Sequence, residues 1–389
     1  MRTDPLAHLA EQLAQLDQQG LRRRPSEPMG PSELSFCSND YLGLAGRASP
    51  PAPSGAGASR LIAGERDEHR RLERAFATWL GVEDCLAFTS GYAANVGALS
   101  SLAGPGDLIV SDALNHASLI DGARLSKARV VVTPHGDVDA VARLLDERTE
   151  ERAWVVVESY FSMDADAPDL AALRAVCDGR GAALYVDEAH ALGVLGPEGR
   201  GLCAAAGVVP DVLVGTLGKA FGSQGAFVAG RAVLRDWLWN RARSFVFSTG
   251  LAPACASAAV RSLQLVIEQP ELHARVRDGA ARLRAGLVSA GAEVTTAEDR
   301  GEGQLPAPRL LGFGHVVPVV LGTPARALRW AERMRSRGVH VLAIRPPTVP
   351  AGGARIRLTV TAEHSDENIA RAVDAFAEAL RAENDERTP

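Results

Sequence analysis

Val212-Leu213-Val214-Gly215-Thr216-Leu217-Gly218-Lys219-Ala220-Phe221-Gly222 holds one of the two lysines among the 42 basic residues of this chain. Arginine serves wherever a surface cation is wanted, so a lysine here invites a chemical reason. A guanidinium stays protonated, whereas an amine loses its proton when buried and can then act as a nucleophile. Small residues flank Lys219 directly after an apolar run, which places it at a strand end and not on a solvated helix face. Lys127, in Leu125-Ser126-Lys127-Ala128-Arg129, suits an ordinary surface position. A turn lysine facing water is also the ordinary reading of Lys219 unless partners converge on it.

Working outward, five more short apolar runs precede this one: Cys85 to Thr89, Asp107 to Val110, Arg129 to Val132, Trp154 to Val157 and Ala183 to Val186. Their apolarity is continuous and not alternating, as in strands of a parallel sheet buried on both faces. Helical stretches lie between them, Val138 to Leu145 and Leu170 to Cys177 among them, so the pattern is βαβ. Ahead of the first run, Leu72, Phe76, Trp79 and Leu80 recur at helical spacing from Asp67, and Gly81 ends that helix. Met1 to Gln19 reads as an amphipathic helix, and a Pro/Gly/Ala-rich link from Gly46 to Gly57 is the clearest break in composition. Beyond Pro253 the character changes to longer helices, Ala256 to Ile267 and Leu272 to Leu287. Strands at Pro318 to Leu321 and Arg355 to Thr359 follow, with a last helix from Asp366 to Ala382. The expectation is an α/β chain in three parts: an N-terminal segment 1–45, a large domain 46–255 with a mostly parallel sheet covered by helices, and a smaller α+β domain 256–389.

The bulk composition narrows the function. With 389 residues and 46% hydrophobic content the chain can bury a sizeable core. The net charge of -5, with arginines scattered apart from Arg22-Arg23-Arg24, gives no basic surface for nucleic acid. Five widely spaced cysteines indicate neither a disulfide framework nor a metal ribbon, and a cytoplasmic location is expected. No stretch reads as a signal peptide or a membrane span.

In parallel α/β sheets the ligand sits off the carboxyl ends of the strands, so the residues just after each run are the informative ones. Ser90-Gly91-Tyr92 turns into a helix whose free N–H groups suit a phosphate, or simply an N-cap. Asn115-His116-Ala117-Ser118, Glu158-Ser159-Tyr160-Phe161-Ser162 and Asp187-Glu188-Ala189-His190 follow three more strands. Each alone has a bland reading: a satisfied core histidine, a turn serine, a capping aspartate. Together they supply what pyridoxal 5'-phosphate needs. Lys219 offers the amine for its aldehyde, and Asp187 a carboxylate beside the ring nitrogen. His116 offers a face over the ring, His190 with Ser162 donors to the ring oxygen, and Gly91, Tyr92 and Thr216 donors for the phosphate.

The motifs Ser38-Asn39-Asp40-Tyr41-Leu42-Gly43, Thr89 to Asn95, Asn115 to Ser118, Phe161-Ser162-Met163-Asp164, Asp187 to His190 and Thr216 to Gly222 stand in the order of one family. The chain resembles the α-oxoamine synthases, fold-type I pyridoxal phosphate enzymes, over most of its length. That resemblance implies that Lys219 holds the cofactor and acts as base, with Asp187 and His116 as its catalytic companions. It also implies substrate contacts from Arg22, His116, Thr348 and Arg357, and a homodimer in which Ser248 and Thr249 reach the neighbour's phosphate. Ile344-Arg345-Pro346-Pro347-Thr348-Val349-Pro350 favours the branch that condenses L-alanine with a pimeloyl thioester, carried on coenzyme A or an acyl carrier protein, in biotin biosynthesis. A glycine-using acyltransferase is the nearest alternative. The chain departs from the family in a short link between Leu44 and Gly55, which lacks a helix, and in Ala165 where glycine is common.

Asp187-Glu188-Ala189-His190 also spells a helicase motif. That reading requires a phosphate loop upstream, and no Gly-x-x-x-x-Gly-Lys-[Ser/Thr] occurs in the sequence. Gly55-Ala56-Gly57 lacks the third glycine and the preceding strand of a dinucleotide site. A cofactor-binding protein without turnover is separated from an enzyme only by assay.

Overall fold

The computed structural model describes residues 6–23, 25, 30, 33–295 and 307–387. Met1 to Pro5 of the expected N-terminal helix and Arg24 of the basic triplet lie outside the described residues. In chain order the strands are β1 (Leu34–Ser35), β2 (Asp84–Phe88), β3 (Leu108–Asp112), β4 (Arg129–Thr133), β5 (Ala153–Glu158), β6 (Ala183–Asp187) and β7 (Val212–Thr216). They continue with β8 (Ala226–Gly230), β9 (Glu293–Val294), β10 (Arg309–Leu310), β11 (Val316–Gly322), β12 (Val339–His340), β13 (Leu342–Ile344) and β14 (Ala354–Thr359).

A seven-stranded sheet in the order β2-β8-β7-β6-β5-β3-β4 forms the centre. Only β8 runs against its neighbours, pairing antiparallel with β2 and β7. The continuous apolar runs are explained by burial on both faces. Ile109, Val156 and Tyr185 pack on one side with Ala98, Leu99 and Leu119 of the helices Gly91–Leu102 and Ala117–Ser126. Their strand neighbours Leu108, Val110, Val155, Val157, Leu184 and Val186 pack on the other side with Val141, Leu145, Leu170 and Leu173. Asp137 and Asp169 accept the N–H groups of Ala140 and Ala172 and so start the two helices on that second face. The helix Asp67–Leu80 ends where expected, at Gly81 in the left-handed conformation (φ 71°).

All six expected strands of this sheet are present, and β8 is the addition. Its Ala-Phe-Val-Ala-Gly sequence carries little strand propensity of its own. It is extended because a buried segment between β2 and β7 satisfies its backbone only by pairing with both.

A second sheet, β13-β14-β11-β10-β9, packs Val317, Val319, Leu321, Ile356 and Leu358 against Trp330, Met334 and Phe376. β1 pairs parallel with β12, Leu34 opposite Val339, which ties the N-terminal segment to this part of the molecule. The helix Pro253–Glu268 runs across the boundary expected at 255. The N-terminal helix spans His8–Gln18.

Candidate active site

The carboxyl ends of β3, β5, β6 and β7 bring Asp112, Glu158, Asp187 and Thr216 to one edge of the sheet. Glu158 and Asp187 are register partners on adjacent strands. Asp187 is buried, and its two oxygens are held by Asn95 Nδ2 at 2.7 Å and by the N–H of Ala189 at 2.8 Å. Asn95 is itself fixed, since Tyr185 Oη donates to its Oδ1 at 2.8 Å and its Nδ2 reaches Ser118 Oγ at 2.9 Å. This carboxylate therefore has a set direction before anything binds.

Past β7 the chain turns through Gly218 and sets Lys219 Nζ 2.7 Å from His190 Nε2. Burial lowers the Lys219 pKa to about 8, although Asp187 pulls the other way. Desolvation, helped by Lys219 and Arg357, holds His190 well below the ordinary imidazole value, so the ring is neutral. His190 Nδ1 lies 2.6 Å from Tyr41 Oη, and Tyr41 also donates to Asn39 Oδ1 at 3.3 Å. Arg357 Nη2 donates to that same Asn39 oxygen at 3.1 Å, and Arg357 Nε donates to the Ser162 carbonyl at 3.0 Å. A polar chain thus runs from the amine through His190, Tyr41 and Asn39 to a guanidinium.

His116 caps the helix Ala117–Ser126, with Nδ1 2.8 Å from Ser118 Oγ. Its own N–H donates to Glu158 Oε1 at 2.7 Å. Desolvation keeps its pKa below the usual imidazole range against the pull of Asp187. Gly91 opens the helix that follows β2, and a Cβ placed there would come within 3.8 Å of Thr216 Oγ1. The two expected phosphate-end residues are therefore neighbours.

These residues fit pyridoxal phosphate. An amine of lowered pKa, an oriented buried carboxylate, a neutral imidazole beside the amine and a helix N-terminus with an adjacent hydroxyl share one strand-end edge. The aminotransferase class I and II family model matches residues 31–376. The chain belongs to that family.

An 8-amino-7-oxononanoate synthase from Mycolicibacterium gilvum is 46% identical over 97% of this chain and 97% of its own length. Serine palmitoyltransferase from Sphingomonas wittichii shares the fold with a TM-score of 0.86 and 29% identity, covering 98% of this chain and 99% of that one. The S. paucimobilis serine palmitoyltransferase, solved with PLP and myriocin bound, matches with a TM-score of 0.87 and 27% identity over 97% and 99% of the two chains.

In this aminotransferase-family chain the remaining expected residues are spread more widely. Ser162 is buried on the turn after β5. Tyr92 is half exposed and donates to Asp121. Arg22 is paired with Asp17 at 2.6 Å, while Arg23 donates to Thr348 Oγ1 at 2.9 Å. Ser248 and Thr249 follow the short helix Arg243–Val246 and line a small cavity with Arg60, Thr89 and Ser244. Glu188 accepts the N–H groups of Leu202 at 3.1 Å and Cys203 at 2.6 Å, so its carboxylate has a structural task. Ala165 adopts a left-handed conformation (φ 57°), the region that favours glycine.

Strand-end logic does not single out Glu158, Asn95, Tyr41 or Asn39 as individual site residues. All four lie inside quoted motifs or strand ends, but their contacts span 42 to 318 positions of sequence. Only the polar type of Asn39 and Asn95 beside apolar runs offered a signal.

Proposed function

We propose that this chain is an 8-amino-7-oxononanoate synthase: with pyridoxal phosphate it joins L-alanine to a pimeloyl thioester, releasing carbon dioxide and the thiol. The observation that carries this reading is Lys219 Nζ 2.7 Å from His190 Nε2, next to the strand end that bears Asp187. The branch of the family follows from the near-full-length identity to the Mycolicibacterium gilvum enzyme.

When bound, the cofactor supplies an electron sink that stabilises a carbanion at the alanine Cα. Lys219 is the residue that anchors it. The free Lys219 amine would take the alanine α-proton onto Nζ, which its lowered proton affinity permits near neutral pH. Asp187, oriented by Asn95 and Ala189, would pair with the ring nitrogen and keep it protonated. His190 with Ser162 would address the ring oxygen, and Tyr41 sets which His190 nitrogen carries the proton. His116 would lie against the ring, while Gly91, Tyr92 and Thr216 would serve the phosphate. Arg357 and Asn39 hold the amino-acid carboxylate, and Arg22, Arg23 and Thr348 line the acyl entrance. With the cofactor in place, the activated alanine Cα would attack the thioester carbonyl, and the thiol would leave. Loss of carbon dioxide and return of a proton to the former Cα would complete the product.

The same proposal includes a homodimer to which Ser248 and Thr249 contribute across the interface, a cofactor-bearing unit at 46–255 with a smaller unit at 256–389, and a cytoplasmic site of action. No helix among the described residues is long and apolar enough to cross a membrane. Purified protein loaded with pyridoxal phosphate should release thiol and carbon dioxide with L-alanine and pimeloyl-coenzyme A or pimeloyl carrier protein. Glycine with acetyl-coenzyme A, and L-serine with palmitoyl-coenzyme A, should give little turnover. Preference for either of those pairs would replace this assignment by another member of the family.

A further inference from the structure

Glu158 ends β5 directly opposite Asp187 on β6, and both side chains are buried. The reaction described above gives Glu158 no task. Its Oε1 accepts the His116 N–H at 2.7 Å, the bond that fixes the first residue of the His116 turn. A carboxyl group can accept that N–H through one oxygen whether or not the other carries a proton. Neighbouring carboxylates in a poorly solvated site are not both ionised without cost. Asp187 has the stronger claim to the charge, because two donors converge on it, Asn95 Nδ2 and the Ala189 N–H.

We propose that Glu158 is the protonated, neutral partner of Asp187 and acts as a positioning residue, setting His116 over the cofactor ring through its backbone amide. Asp187, Lys219 and Asp112 are the charged groups around it, with the His116 N–H as its donor. Burial, then the Asp187 charge, raises the Glu158 pKa to about 8 against the pull of Lys219 and the His116 amide. A second full negative charge at this edge would compete with Asp187 for the ring proton and for the Lys219 amine. A neutral carboxyl supplies the acceptor for His116 without that competition.

This inference rests on the cofactor assignment, so the test reads cofactor binding directly. Apo protein of the wild type, Glu158→Gln, Glu158→Asp and Glu158→Ala is titrated with pyridoxal phosphate, and the visible absorbance of each loaded protein is followed against pH. The glutamine carbonyl can accept the same N–H while its amide replaces a protonated oxygen. Glu158→Gln should therefore bind within about twofold of wild type and titrate at the same pH. Aspartate keeps the acid but falls short of the amide, and alanine removes the acceptor. Each should weaken binding about tenfold, the upper range for one lost hydrogen bond. A Glu158→Gln protein as weak as Glu158→Ala, or titrating about a pH unit lower, would show that the charge is needed and overturn the proposal. Wild-type affinity in Glu158→Asp would overturn the positioning role, and this variant decides if Glu158→Ala does not fold. Failure of the wild type to bind pyridoxal phosphate would instead remove the cofactor assignment itself.

Discussion

Lys219 does its work through its neutral form, and its surroundings set how much of that form exists. Burial brings its pKa to about 8 against the opposing pull of Asp187. Below that value the reactive amine falls tenfold per pH unit, and above it the amine is almost wholly neutral. The rate at which apo protein captures pyridoxal phosphate should therefore rise about tenfold per unit from pH 6 to about 8 and then level off. Stopped-flow absorbance across that range checks it, and an inflection near the ordinary lysine value would contradict the burial argument. Lys219→Ala should remove the visible absorbance and cut turnover by at least about a thousandfold, the scale of a lost base and covalent anchor. Much of this is legible in the linear sequence. Lys219, Asp187, His116 and His190 each follow an apolar run, so strand-end logic reaches them from the linear sequence. Tyr41 and Asn95 escaped individual notice because their partners, His190 and Asp187, sit 149 and 92 positions away. No local pattern encodes such pairings.

At the scale of elements, the turn from Phe161 to Asp166 is held from several sides. His135, just past β4, bridges Asp112 Oδ1 at 2.8 Å and Asp166 Oδ2 at 3.1 Å, and its ring meets Phe161 edge-on. Burial alone would lower its pKa, but the two carboxylates outweigh that and raise it to about 9. A raised folded-state pKa contributes stability in full below the unfolded value near 6.5. That contribution fades as pH climbs and is lost above about 9. The shift corresponds to roughly 3 kcal/mol at its largest. Urea unfolding should show His135→Gln less stable than wild type by an amount of that order at pH 6, with the gap nearly closed by pH 9.5. A gap unchanged between the two pH values would mean that the imidazolium charge is not what holds the turn. The sequence names Ser162 in this turn, but not its clamp. His135 follows β4 as an unremarkable polar residue, and only the parallel pairing of β3 with β4 brings it to Asp112. β8 escaped for the related reason that its extended form is imposed by β2 and β7 on either side.

For the whole molecule, the second sheet meets the site edge through two arginines of β14. Arg357 grips the Ser162 carbonyl and Asn39, while Arg355 Nη1 donates to Asp164 Oδ1 at 3.0 Å and to the Met163 carbonyl at 2.6 Å. Tyr160 Oη donates to the Phe313 carbonyl, and the Phe313 N–H returns to the Ala165 carbonyl at 2.8 Å. The two sheets are thus locked on the turn that carries Ser162. Composition and element order foretell the two sheets. Their docking is not legible in sequence, because it depends on which face of β14 meets the turn. Arg355 and Asp164 are both buried, so removing one leaves the other charge where water cannot compensate it fully. Arg355→Ala should cost about 3–5 kcal/mol in equilibrium unfolding and also weaken pyridoxal phosphate binding, since the turn bearing Ser162 loosens with it. The Asp164→Ala/Arg355→Ala double variant should fall well short of the sum of the single losses, because the second substitution removes a charge already stranded by the first. Additive losses would place the energy of this junction in the backbone contacts of Arg355 and not in its pairing with Asp164.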